Sequence, residues 1–123
     1  MHKYNETEYL NCLQNAKYGI WLDAHESQGF ALQEALSCNV PLLVWNVSSL
    51  NQDVGSNYPN FPATTLSYWN DNCGEVFYNY HEFLNKFNSF ISNLNTYTPR
   101  QFILDNLSIK KCEEKFIDLI NNI

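Results

Sequence analysis

Two short apolar runs, "GIWL" (Gly19–Leu22) and "LLVW" (Leu42–Trp45), bracket a helix-forming segment, and no other feature constrains the fold as much. A tight turn can join antiparallel strands, whereas parallel strands need a longer crossover, usually a helix. Gly29 to Cys38 holds strong helix formers and no breaker. Asn39 follows, and asparagine is second only to glycine at the left-handed position that closes a helix. Pro41 then forbids continuation. Strand, helix and strand read as a βαβ unit, and such apolar strands suit a parallel sheet covered on both faces.

The flanking segments add helices. Tyr9, Cys12, Leu13 and Ala16 recur at helical spacing, with Asn5 and Glu8 placed as in a capping box. Asn46 to Ala63 is rich in Asn, Ser, Gly and Pro without a period, so it reads as a long loop. "TTLSYW" (Thr64–Trp69) and "GEVF" (Gly74–Phe77) read as a third and a fourth strand. Tyr80, Phe83, Leu84, Phe87, Phe90, Ile91 and Leu94 form a continuous apolar stripe at helical spacing. Thr98 followed by Pro99 is a helix start. Ser108 caps a last predicted helix, with Ile109, Cys112, Phe116, Leu119 and Ile120 on its expected buried face. The expected fold class is α/β: a partial Rossmann-like, three-layer domain with a short, mainly parallel sheet and C-terminal helices, one domain over residues 1–123.

Charge and cysteine usage narrow the partners. A formal net charge of −6 argues against nucleic acid or an anionic membrane. The one dense basic group, Lys110, Lys111 and Lys115, is interrupted by Glu113 and Glu114 and reads as a solvated helix face. Cys12, Cys38, Cys73 and Cys112 form no CxxC pair, and no histidine stands at zinc-ligand spacing, so no metal is expected. No stretch is apolar for long enough to span a bilayer, and "MHKYNETEYL" lacks a signal core. A cytoplasmic protein with free thiols is the expectation. Trp21, Trp45 and Trp69 lie in or beside strands and are expected in the core.

The candidate site lies in the turn between the first strand and its helix. Open α/β sheets bind ligands at the carboxyl ends of their strands, and a helix N-terminus there offers N–H donors and a positive dipole end. Those donors belong to Gly29, Phe30 and Ala31, and glycine lets a ligand approach the backbone. His25, Glu26, Ser27 and Gln28 occupy the turn itself. Glu26 fits either a ligand contact or a first-turn acid complementing the dipole. Glu34, near Phe30's face of the helix, fits either an acceptor for sugar hydroxyls or a solvated surface position. Asp23 has no acidic pair or partner lysine to support phospho-acceptor chemistry.

With these residues in view, "ESQGFALQEALSCNVPLLVW" resembles the donor-binding signature of GT-B glycosyltransferases. Glu26, Gly29, Glu34, Ala35 and Pro41 fall in register with it, and Ser27, Ser37 and Cys38 match its small positions. Gln28 stands where an aromatic is frequent, and Asn39 where glycine is usual. "SYWNDNCGEVF" and "YTPRQFILDNLS" are similar to the end of such a domain. The resemblance implies that Glu34 accepts hydrogen bonds from the nucleotide ribose and that Glu26, as the catalytic-site carboxylate, faces the donor-sugar hydroxyls. It implies that the backbone after Gly29 holds the sugar or diphosphate, with His25, Ser27, Gln28, Phe30 and Ala31 beside it. Retaining members transfer a sugar from a nucleotide donor to an acceptor hydroxyl without a metal. The chain corresponds to the second half of the C-terminal domain, so the expected partners are a nucleotide sugar and either a complementing glycosyltransferase chain or a second copy. A non-catalytic assembly module is the alternative.

Overall fold

The computed structural model describes residues 5–24, 28–53, 55 and 57–123. Three strands, β1 (Gly19–Trp21), β2 (Leu42–Trp45) and β3 (Gly74–Phe77), form one sheet in the order β1-β2-β3. Both pairings are parallel: Ile20 lies opposite Leu43, and Leu43 opposite Glu75. Among the described residues five α-helices accompany it: α1 (Glu6–Asn15), α2 (Phe30–Ser37), α3 (Tyr80–Ser92), α4 (Pro99–Asn106) and α5 (Ile109–Asn121). The chain is thus α/β, a partial Rossmann-like fold with helices on both faces of a parallel sheet.

The strand period of two divides the core. Leu42 and Val44 of β2 point to one face, where they meet Leu32, Ala35 and Leu36 of α2, Leu13 of α1, Phe102 of α4 and Cys73. Leu43 points to the other face and packs with Phe77 and Phe90, with Trp45, Phe83 and Phe87 at the margin. β2 is central and its first three residues are fully buried. β1 is an edge strand: Ile20 is exposed, and Leu22 lies beyond the strand's end, more exposed still. The expected full burial of "GIWL" is therefore corrected, because only one neighbouring strand is present to cover it.

Local signals place the helices. Asn5 caps α1 by accepting from the Thr7 and Glu8 N–H groups, and Asn79 caps α3 through Glu82 N–H. Ser108 does the same for α5 through Lys111 N–H. Gly29, at φ 73°, is the N-cap of α2, and Asn39, at φ 63°, follows its C-cap. Gly74, at φ 147°, opens β3 so tightly against β2 that a Cβ would lie 1.9 Å from the Leu42 carbonyl oxygen.

Two expectations fail. Thr64–Trp69 is not a strand, because its polar groups are taken by side chains and loops. Asn46 Oδ1 accepts from the Thr65 N–H at 3.0 Å and the Thr64 hydroxyl at 2.7 Å. The Thr65 hydroxyl accepts from Val47 N–H and donates to the Asp23 carbonyl. The segment stitches the ends of β1 and β2 together instead of extending the sheet. The second failure is α5, none of whose residues is buried. Ile109 is 88% exposed and Phe116 61%, with Cys112, Leu119 and Ile120 also open. The stripe on α3 is partly buried: Phe90 is enclosed, Phe83 and Phe87 are half-buried, and Tyr80, Leu84 and Ile91 are exposed.

Candidate functional site

The βα turn after β1 leads into α2 as the crossover requires, placing the helix N-terminus beyond the carboxyl end of a parallel strand. Gly29 adopts a left-handed φ, and among the described residues no atom beyond its chain neighbours lies within 4 Å of where a Cβ would stand. Gly29 itself is buried, between the exposed Gln28 and Phe30. Gly29 cannot cap α2 with a side chain, and the first turn of a helix favours an anion near its N–H groups. His25, Glu26 and Ser27 lie outside the described residues, so the roles expected for them have no geometry to set beside them.

The remaining candidates separate into distinct settings. The Gln28 carbonyl accepts from Gln33 Nε2, tying the turn to the helix. The Ala31 carbonyl accepts from the Tyr9 hydroxyl at 2.7 Å, which joins α1 to α2. Phe30, 70% exposed, and Glu34, also exposed, stand one turn apart. With Gln33, Leu10, Ile103 and Leu107 they line a groove of about 380 Å³ beside α1 and α4. Glu34 also borders a smaller cavity of about 250 Å³ with Glu6, Leu10 and Leu13. The structure thus brings Phe30 and Glu34 together along one flank of α2, with Gly29 at its tip.

The carboxyl edge holds a second hollow that the sequence did not single out. Leu22, Trp45, Gln52, Phe77, Asn79 and Phe83 enclose about 500 Å³ beyond the ends of the three strands, with Tyr78 and Tyr80 on the same wall. No described residue lines both this crevice and the groove beside Glu34. Trp45, expected in the core, packs on it with one side and lines the crevice with the other. Trp21 and Trp69 pack against the larger core cluster as expected. The one available signal was the position of Trp45, Phe77 and Tyr78 at or just past strand ends, where α/β sheets present ligand contacts.

Arg100, the only arginine, does not face this edge. Its guanidinium donates to the Ser37 carbonyl at 2.6 Å and so serves the last turn of α2. Among the described residues no cluster of His, Cys, Asp and Glu is placed to hold a metal ion, and no helix is long and apolar enough to cross a membrane. Comparisons with protein-family models, with curated proteins and with solved structures find no match, so the site is read from its own residues and geometry.

Proposed function

We propose that this chain is a glycosyltransferase-like donor-binding half-domain, contributing to a nucleotide-sugar site for retaining transfer and incomplete alone. The observation that carries the reading is Gly29: a left-handed glycine starting a helix at the carboxyl end of a parallel strand. Such a tip suits a diphosphate. In this reading Phe30 and Ala31 supply backbone donors, Glu34 accepts from ribose hydroxyls and Glu26 faces the sugar. A half-site leaves much of the ligand solvated, so affinity on the order of millimolar is expected.

Titration of the full chain with UDP-glucose and GDP-mannose, followed by backbone amide NMR, tests this. Saturable shifts at Gly29 to Glu34 are expected with at least one donor, and Glu34→Ala should abolish them. No shift at millimolar ligand overturns the reading. A non-catalytic assembly module is the second reading, favoured by the uncovered apolar face of α5 and the open β1 edge. It predicts concentration-dependent self-association or capture of a complementing chain, with no donor response.

A further inference from the structure

We propose that the crevice at the carboxyl edge of the sheet is a second ligand site, one that takes an uncharged aromatic ring. It is separate from the donor reading, since no described residue is shared with the groove beside Glu34. Its volume, about 500 Å³, lies in the range of small-molecule sites, as does a wall of apolar and aromatic side chains with few polar groups.

The walls are held before any ligand arrives. The Trp45 indole N–H donates to the Tyr78 carbonyl, fixing the ring plane. Phe77 and Phe83 meet edge to face, with centroids 5.1 Å apart, closing the floor. Asn79 is engaged as the cap of α3, and the Tyr78 N–H donates to the Glu82 carboxylate at 2.8 Å. Gln52 Oε1 accepts from the Ser48 and Ser49 N–H groups, which pins the carboxamide and leaves its NH2 end as a donor.

The chemistry of the lining selects the occupant. Among the described residues that enclose the crevice none is charged, so an anion or cation would lose its hydration without a partner. A carbohydrate carries many hydroxyls, and Gln52, Asn79 and the two tyrosine hydroxyls are too few to pair them all. A flat ring offset against Trp45 and the phenyl rings uses the wall as it stands, and one ring acceptor can meet the Gln52 NH2. Leu22 and Tyr80 are exposed at the mouth, where a ring would cover them.

The probe is 2-naphthol, titrated into the full chain at neutral pH and followed through the Trp45 indole N–H and Gln52 side-chain NMR signals. Saturable shifts confined to these signals and to residues 77–83 are expected. Leu22→Asp, at an exposed position, should weaken binding about tenfold or more by placing a charge at the mouth. Tyr80→Ala should weaken it about threefold by removing one stacking edge. Three results overturn the proposal: no shift at millimolar probe, equal shifts on the apolar face of α5, or equal affinity for methyl glucoside. If a variant's spectrum is rearranged throughout, the wild-type shift map alone decides between these outcomes.

Discussion

Asn39 does two things that a glycine in its place could not do together. It takes the left-handed conformation after α2, and its Oδ1 accepts from the Arg100 N–H at 3.2 Å, in the first turn of α4. Thr98, the nominal cap of α4, makes no side-chain bond there. Arg100 answers by donating to Ser37, so each residue finishes the other's helix. Asn39→Ala should lose about 2 kcal/mol, one part from left-handed strain and one from the missing cap. Asn39→Gly relieves strain while losing the cap, so its change should stay within about 0.5 kcal/mol. Urea midpoints at constant slope measure both. Two of the positive-φ glycines should also differ from each other. Gly29→Ala meets no atom and costs about 1–2 kcal/mol in backbone strain alone. Gly74→Ala drives a methyl into the Leu42 carbonyl and should exceed about 4 kcal/mol, seen as loss of the cooperative transition.

Elements were legible in the sequence where local chemistry and tertiary demand agree. Pro41 and Asn39 delimit α2, and the apolar "LLVW" coincides with β2 because a central strand is buried on both faces. "GEVF" is β3, an edge strand paired with β2, its Phe77 turned into the smaller core. Thr64–Trp69 misled because β-branched and aromatic residues also suit a loop whose hydroxyls bind back to Asn46 and Asp23. At the site, Gly29 as a left-handed helix start was readable from residue type. The crevice was not, since its walls meet only after the ends of all three strands converge. α5 shows a further limit: periodicity says that a face is apolar, not that this chain covers it. Phe116→Glu should therefore change unfolding free energy by less than about 0.5 kcal/mol, whereas Leu36→Ala, in the enclosed face of α2, should cost about 2–5 kcal/mol. Parallel urea titrations of the two variants check the contrast.

The described residues form two unequal cores separated by a three-stranded sheet, and Cys73 reports on the larger one. Its thiol is fully enclosed between α2, α4 and the sheet. Burial pushes its pKa from 9.0 up to about 11, with a backbone hydrogen bond at Asn70 offsetting part of the rise. A thiol is neutral when protonated, so the folded chain holds this proton where the unfolded chain has released it. The resulting stability term is fully present below about pH 9 and is lost as pH climbs from 9 towards 11. Cys73→Ala removes that titration and leaves a small void costing about 1 kcal/mol at neutral pH. The difference in stability between wild type and Cys73→Ala should therefore shrink as pH rises through this window, while lysines and tyrosines common to both chains cancel. Thiol labelling supplies an independent check at neutral pH: Cys12 and Cys112 are exposed and should react at once, whereas Cys73 should react only as fast as the larger core opens. Adding Leu36→Ala, which loosens the same cluster, should accelerate the labelling of Cys73 and leave that of Cys12 and Cys112 unchanged.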